Sequence, residues 1–253
     1  QMIPGFIHPC FRTLCNERAF RFSRFFDYGT GAPLMAPGEG VDWERALDER
    51  STHGPFTTRL YSRHVDIRLF EAFRRSGQGV RMRYDEAIKT YPSEFSGHYF
   101  RWLREEKGLG FDDEVIVGNF YHASNGGIRT DTSAFTGVPG LYACGEAATG
   151  MHGADRIGGM SLANGLVFGS AAGRAAADFA ACGGGDGAFC SLPGFAAEEP
   201  RREMERILDL SFRHMMLARD EEGLRGTLQA LDEIEEGARL HGRPCALRLG
   251  EVV

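Results

Sequence analysis

The stretch 122–174, HASNGGIRTDTSAFTGVPGLYACGEAATGMHGADRIGGMSLANGLVFGSAAGR, decides the fold of this 253-residue chain. A short extended run at 128–131 is followed by turn residues at 137–140 and by an apolar strand at 141–144. A Gly-rich loop then leads to a helix of small residues that Ser161 opens. The stretch therefore predicts strand, turn, strand, loop and helix, in that order.

Three segments of this stretch carry a family resemblance. GGIRTD (126–131), GLYACGEAATG (140–150) and HGADRIGGMSLANGLVFGSAAG (152–173) resemble the second FAD-binding half of the succinate dehydrogenase, fumarate reductase and L-aspartate oxidase flavoproteins. Order, spacing and residue types agree over roughly fifty positions, more than a chance match to a short motif would give.

The resemblance implies an FAD cofactor and a set of residues that bind it. A helix N-terminus offers unpaired N–H groups and the positive end of the helix dipole. The N–H groups near Ser161 and Leu162 would face the flavin pyrimidine, and Glu146 would hydrogen-bond the ribitol chain. The remaining cofactor-binding residues that it implies are Gly145, Gly158 and Gly159.

The resemblance implies an α/β fold class for the FAD-binding domain and an α+β arrangement for the chain as a whole. We expect the second half of an FAD-binding doubly wound domain, with an inserted α+β capping domain and a C-terminal helical segment. The expected boundaries are 1–4 for a strand end of the FAD-binding domain, 5–112 for the capping domain, 113–182 for the second half of the FAD-binding domain, 183–200 for a Gly- and Pro-rich linker, and 201–253 for the helical segment.

A flavoprotein of this family should also contain a strand, a G-x-G-x-x-G turn and a helix that hold the pyrophosphate. The nearest string here is GGGDGA at 183–188, which follows a helical pattern and precedes CSLPGF, so it is typical of a linker. We therefore expect this chain, which begins at Gln1 inside an apolar run, to be a fragment that lacks the dinucleotide-binding half.

Apolar periodicity predicts the main helices. Residues 56–75 fit an amphipathic helix or helix pair with Thr57 or Thr58 as N-cap, and a similar pattern lies within 84–109. The apolar stretch 160–181 predicts a buried helix and not a membrane span, because charged residues interrupt it.

Net charge and cysteine spacing argue against two classes of function, nucleic-acid binding and zinc binding. The 29 basic and 35 acidic residues give a net charge of −6, which argues against a nucleic-acid binder. The six cysteines form neither a C-x-x-C pair nor a zinc-binding spacing, so we expect reduced thiols in a cytoplasmic protein and no metal site.

The resemblance implies hydride transfer between flavin and a dicarboxylate carbon, with an arginine that handles the proton. Arg59, in PFTTRLYSRHVDI, is the candidate catalytic residue at an expected helix start. Because the pKa of arginine exceeds roughly 12, its neighbours must assist proton transfer. Arg63 and His64 are the next candidates.

Two further residues are implied to bind the substrate. Arg156, in HGADRIGG, could hold a carboxylate with two parallel hydrogen bonds. His122, before SNGG, could donate to the other carboxylate and stabilise enolate-like charge. We expect Arg59, His122 and Arg156 to converge in one cleft between the capping and flavin layers.

The chain also departs from the family pattern. Ile3 stands where a substrate-binding histidine is usual, and an alternative register uses His8, followed by Pro9, in its place. Asp155 and Met160 stand where amides are commoner, and the Asp155 carboxylate would weaken the attraction of Arg156 for a dicarboxylate.

The leading hypothesis is an FAD-dependent oxidoreductase that acts on a small carboxylate, as fumarate reductase and succinate dehydrogenase do. L-aspartate oxidase is the second hypothesis. A third is a catalytically silent flavin-fold subunit for electron transfer or interaction. The expected partners are the carboxylate substrate and an electron-transfer subunit, with no nucleic acid and no membrane span.

Overall fold

The computed structural model of this chain describes residues 2–54, 56–90, 94–153, 156–157, 159–183 and 199–240. The described strands are β1 (Met2–His8), β2 (Thr13–Leu14), β3 (Ser23–Asp27), β4 (Val80–Tyr84) and β5 (Val115–Ser124). The described α-helices are α1 (Trp43–Arg50), α2 (Arg63–Ser76), α3 (Glu94–Lys107), α4 (Met160–Ala181), α5 (Glu199–Leu210) and α6 (Glu221–Leu240). This mixture of helix and sheet confirms the predicted α/β class.

The chain divides into two compact units. Ile3–His122 and Met216–Ala218 form one, called here the sheet unit. Gln1–Met2, Ala123–Met215 and Arg219–Val253 form the other, called here the helical unit. The domain boundaries expected at 4/5 and 112/113 stay predictions, and 184–198 of the expected linker lie outside the described residues.

The strands form a sheet in the order β2-β1-β5-β4-β3. β3 pairs antiparallel with β4, from Ser23 opposite Tyr84 to Asp27 opposite Val80. β4 pairs antiparallel with β5, where Val80 lies opposite Val117. Val80 and Met82 are buried, because alternate residues of a strand point to the same face.

The core of the sheet unit is aromatic and aliphatic. The Phe20 ring packs edge-on against Phe6 at 5.0 Å and against Phe25 at 5.1 Å between centroids. Such edge-to-face pairs stabilise a core beyond the area that they bury. Its other fully buried side chains include Val65, Leu69, Phe70, Leu103, Val115 and Val117.

Helix α2 begins later than the sequence predicts. The expected caps Thr57 and Thr58 precede a bend, and the helix starts at Arg63 after turns in which Arg63 N donates to Leu60 O. It ends at Gly77, whose φ of 66° is left-handed and whose N–H donates to Phe73 O. The prediction of a helix start beside Arg59 was therefore wrong.

Helix α4 confirms the predicted helix after the Gly-rich loop, but the prediction that it is buried was wrong. Of its described residues only Asn164 and Ala172 are buried. Leu162 and Leu166, which share a face at a spacing of four, are 73% and 67% exposed. Among the described residues nothing covers this face.

The strands predicted at 128–131 and 141–144 are single bridges among the described residues. Ile128 pairs with Ala148, and Phe135 pairs with Tyr142. A strand extends only where a neighbour continues the ladder, and no described segment does so here.

The remaining helical predictions were confirmed by α3, α5 and α6, except that 241–253 of the expected helical segment lie outside the described residues. No described helix combines the length and apolarity that a membrane crossing requires.

Candidate functional site

The turn at Gly145–Ala147 in the helical unit is held by side-chain and backbone bonds. Glu146 Oε1 accepts from Ser124 N at 2.7 Å, and Ala147 O accepts from Ile128 N at 2.8 Å. A Cβ at Gly127 would collide with the Ala147 carbonyl, so this close approach requires glycine. The second carboxylate oxygen of Glu146 has no partner among the described residues.

The start of α4 has no side-chain cap. Gly159 is the N-cap residue, with a left-handed φ of 82°, and Leu162 N donates to its carbonyl at 3.2 Å. Side chains normally satisfy several N–H groups of a first helical turn. Glycine has no side chain that could cap the helix, and two N–H groups of the turn bond to backbone instead, Leu162 N to Gly159 O and Met160 N to Ile157 O at 3.2 Å. The positive end of the helix dipole still favours an anionic or hydrogen-bond-accepting ligand at this turn.

Three buried polar groups of the helical unit lack partners among the described residues. They are Arg156 Nε, both amide atoms of Asn125, and Asn164 Oδ1. The other amide atom of Asn164, Nδ2, lies 3.1 Å from His152 Nε2. Buried polar atoms are nearly always hydrogen-bonded, so each of these groups is available to a polar ligand or to a residue outside the described ones. Asn119 of the sheet unit is a further buried amide of this kind.

Apolar surface lies beside these polar groups in the sequence. Ile157, between the Arg156 position and the start of α4, is 75% exposed, and Leu162 is exposed in the first turn. Ligand sites combine apolar surface with a few convergent polar groups.

His122 lies on β5 in the sheet unit, with its side chain exposed. A Cβ at Gly5 of β1 would lie 3.1 Å from His122 Cβ, so the absence of a side chain at Gly5 makes room for the imidazole. The sequence reasoning named His122 but had no signal for this dependence on Gly5.

The sheet unit also holds the two arginines that are candidates for proton transfer. Arg59 is exposed in a bend, and its backbone N–H donates to Thr57 Oγ1 at 3.3 Å. Arg63 is half-buried at the first residue of α2, and its Nη1 donates to Leu60 O at 3.3 Å. The neighbouring candidate, His64, packs edge-on against Tyr61 at 4.9 Å.

His8, the alternative substrate-binding residue, is fully buried in the sheet unit. Its Nδ1 lies 2.9 Å from Ile116 O and its Nε2 lies 2.7 Å from Tyr99 Oη. Burial lowers the pKa of its imidazole, although the bond to the Ile116 carbonyl opposes this shift. Since both ring nitrogens already have partners, this geometry favours a structural role for His8.

Several candidates can only be located in part. Gly145 has a left-handed φ of 65°, and Ser161 is exposed in the first turn of α4. Gly158 and Asp155 lie outside the described residues. Sequence reasoning missed Asn125, because an amide after a strand gives no sign of its partners before its neighbours are placed.

The groups of the helical unit fit FAD. The start of α4 without a side-chain cap would suit the pyrimidine edge of a flavin, the second carboxylate oxygen of Glu146 would suit the ribitol hydroxyls, and the exposed apolar surface would suit the planar ring. These residue roles stay predictions. Within the described part of the chain, no cluster of three metal-ligating side chains occurs.

Comparison with known proteins agrees with this fit. Residues 86–162 match a family model described as an FAD binding domain. The chain is 32% identical over 189 residues to the L-aspartate oxidase of Caulobacter vibrioides, across 73% of this chain and 35% of that protein. It is 54% identical over 68 residues to the fumarate reductase flavoprotein subunit of Mycobacterium tuberculosis, across 26% of this chain and 12% of that protein.

A solved structure shares the fold. A chain of the Mycobacterium smegmatis Sdh1 complex in the apo form superposes with a TM-score of 0.59 at 22% identity, across 93% of this chain and 40% of that one. The match to the FAD binding domain model and the curated relatives define the class as an FAD-binding flavoprotein. The chain belongs to the flavoprotein family of the succinate dehydrogenases, fumarate reductases and L-aspartate oxidases, as its sequence motifs predicted. It spans about a third of the length of the L-aspartate oxidase that it matches.

Proposed function

We propose that the whole protein is an FAD-dependent oxidoreductase that transfers a hydride between flavin and a small carboxylate, of the fumarate reductase and succinate dehydrogenase type. The observation that carries this proposal is the uncapped start of α4 at Gly159, close in sequence to Arg156, whose buried Nε has no described partner. A cytoplasmic location and an electron-transfer partner subunit belong to the same proposal.

The proposed roles divide between binding and proton transfer. Arg156 orients a substrate carboxylate, because a planar guanidinium can form two parallel hydrogen bonds with it. His122 donates to the second carboxylate. FAD, when bound, supplies the group that accepts or donates the hydride. Arg59 is the proposed proton donor, and the convergence of Arg59, His122 and Arg156 remains a prediction of the proposal.

Arg63 is the strongest competitor for the proton-donor role. It begins α2, and Arg59 lies in the bend before the helix. Lysine substitutions in the full-length protein distinguish the roles of the two residues, because lysine keeps the positive charge but lacks the planar guanidinium group. We expect Arg59→Lys to abolish turnover with an intact rate of flavin reduction by an artificial donor. Full activity in Arg59→Lys together with loss in Arg63→Lys would transfer the role to Arg63.

Arg156→Lys tests the binding role. Loss of uniform binding raises KM, and loss of a transition-state interaction lowers kcat and kcat/KM together. We expect a rise in the KM for the dicarboxylate of at least about tenfold, with a much smaller change in kcat. A fall in kcat at constant KM would contradict the orienting role.

Cofactor binding gives a test that needs no turnover. The sequence contains no G-x-G-x-x-G turn, so we expect the 253-residue chain alone to bind FAD weakly in a fluorescence titration. The full-length protein should instead carry flavin through purification. A full-length protein without affinity for FAD would refute the proposal. Stoichiometric FAD in the 253-residue chain alone would refute the expectation that the pyrophosphate-binding half of the FAD site lies outside it.

L-aspartate oxidase is the second candidate, supported by the similarity to the Caulobacter vibrioides enzyme. The two reactions differ in the substrate, so reduction of one artificial electron acceptor by the full-length protein with L-aspartate and with succinate distinguishes them. The catalytically silent subunit is the third candidate, favoured by Ile3 at the position of the usual histidine. Flavin binding without turnover of either substrate would support it.

A further inference from the structure

The segment 51–62, between α1 and α2, carries Arg59 and leads directly to Arg63. Apart from residue 55 it is described, and it forms turns and bends without regular secondary structure. A segment of this kind holds a side chain in place only if other parts of the unit restrain it.

Arg50, the last residue of α1, restrains the start of the segment. Its side chain is fully buried, and its Nη1 donates to the His53 carbonyl at 2.7 Å. Its Nε donates to Asp66 Oδ2 of α2 at 2.9 Å. One guanidinium thus joins the end of α1, the segment and the first turn of α2.

The surroundings of Arg50 restrict its movement. Its Nη2 donates to Glu17 Oε2 at 2.9 Å, and its guanidinium carbon lies 5.4 Å from the centre of the Phe6 ring. A Cβ at Gly54 would lie 2.8 Å from the same Glu17 oxygen, so the segment packs directly onto this ion pair.

Glu49 restrains the other end of the segment. Its Oε2 accepts from the Ser62 backbone N–H at 2.6 Å. Across the segment, His53 Nε2 lies 2.9 Å from Ser62 Oγ. Neighbouring residues of α1 therefore hold both ends of the segment, Arg50 through His53 and Glu49 through Ser62.

We propose that Glu49 and Arg50 are positioning residues that fix the segment 51–62 and thereby set the position of Arg59 and of the helix start at Arg63. The inference rests on the proposed function only for its catalytic consequence. Proton transfer requires the donor within hydrogen-bond reach of the substrate, so a small displacement of either arginine lowers the rate with little effect on binding elsewhere.

Glu49→Ala tests the proposal without disturbing the buried Arg50 ion pairs. Loss of a hydrogen bond to a charged group should accelerate amide hydrogen exchange of peptides from 51–62 by about tenfold or more. Peptides from α3 serve as an internal reference. Glu44→Ala is the matched control, since Glu44 is exposed on the same helix, and it should exchange as the wild type does.

Glu49→Gln distinguishes positioning from a general loss of structure. Its amide oxygen can still accept from the Ser62 N–H, so it should restore slow exchange in 51–62. In the full-length protein Glu49→Ala should lower kcat about tenfold at unchanged KM, and Glu49→Gln should recover most of kcat.

Wild-type exchange rates in 51–62 of Glu49→Ala would overturn the proposal, and so would faster exchange with an unchanged kcat. If the wild type has no turnover with any carboxylate, the proposed function fails, and the exchange rates of the three variants still decide whether Glu49 fixes the segment.

Discussion

The sheet unit and the helical unit differ in the contacts of their buried guanidinium groups, although each also holds a buried amide without a partner among the described residues, Asn119 in the sheet unit and Asn125 in the helical unit. In the sheet unit the buried Arg50 lies between the carboxylates of Glu17 and Asp66. In the helical unit the buried Nε of Arg156 and both amide atoms of Asn125 have no described partner. A guanidinium satisfied within its own unit serves the fold, and one whose Nε has no partner among the described residues can serve a ligand.

The two units also differ in how far their large apolar side chains are buried. The sheet unit fully buries large side chains, such as Leu69 and Phe70. The buried apolar residues of the helical unit are mostly alanines, with Ile207 and Ile234 as larger exceptions, and several of its large side chains, such as Leu166 and Val167, are exposed. The sheet unit therefore has the core of a self-supporting fold, and the helical unit presents surface that suits contact with another group or chain segment.

The largest predicted effect concerns Arg50. Arg50→Met would leave the buried Asp66 and the half-buried Glu17 without their counter-charge, and we expect a loss of about 3–5 kcal/mol in the free energy of unfolding. Arg24→Met is the control, because Arg24 is 71% exposed in its pair with Asp85 and should contribute at most about 1 kcal/mol. Urea denaturation measures both, and equal losses would remove the contrast between buried and exposed pairs.

The second prediction compares equivalent truncations in the two units. Leu69→Ala creates a cavity in the core of the sheet unit and should cost about 2–5 kcal/mol. Leu166→Ala removes an exposed side chain of α4 and should change the stability of this chain by about 0.5 kcal/mol or less. The shift in the urea midpoint checks both. A large loss in Leu166→Ala would mean that α4 is covered in solution.

The third prediction is a pH dependence. Burial raises the pKa of Asp66 to about 6, with a smaller contribution from Glu17, and the attraction of Arg50 opposes the shift. Between the unfolded pKa of about 3.9 and this value, the folded protein binds a proton that the unfolded chain has released. The contribution of Asp66 to stability is therefore present in full below the unfolded pKa and is lost as the pH rises through 6.

Asp66→Asn removes this titration. Between pH 4 and pH 7 the stability of the wild type should fall by about 2–3 kcal/mol relative to that of the variant. Urea denaturation at several pH values measures the difference. Asp85→Asn removes an exposed carboxylate and controls for net charge. Parallel pH profiles of the wild type and Asp66→Asn would show that Asp66 stays ionised.

The smallest effect tests the structural role of His8. Tyr99→Phe removes the hydroxyl that lies 2.7 Å from His8 Nε2 and 3.1 Å from Tyr84 Oη. We expect a loss of about 1–3 kcal/mol, because a buried ring nitrogen would lose its partner. In the full-length protein the KM for the carboxylate should not change. An altered KM would return His8 to the substrate site.

The local sequence pattern was sufficient to predict the position of some helices and strands and insufficient for others. The start of α4 was predicted within a residue, because glycines before a run of small residues are a local signal. The start of α2 was misplaced, because Glu49 and Arg50 hold the preceding segment outside the helix through bonds that no periodicity records. The strand predicted at 141–144 is a single bridge for a related reason, since a strand extends only where a neighbouring segment pairs with it along its length.

The sequence by itself determined the family, the FAD-binding class and the helix that follows the Gly-rich loop, because these depend on residue types at fixed spacings. Only the tertiary structure decided that Arg50 is buried between two carboxylates, that both nitrogens of His8 have partners and that the amide of Asn125 has none within the described ranges. The physical reason is that burial and hydrogen bonding depend on residues far apart in the chain, which folding alone brings together.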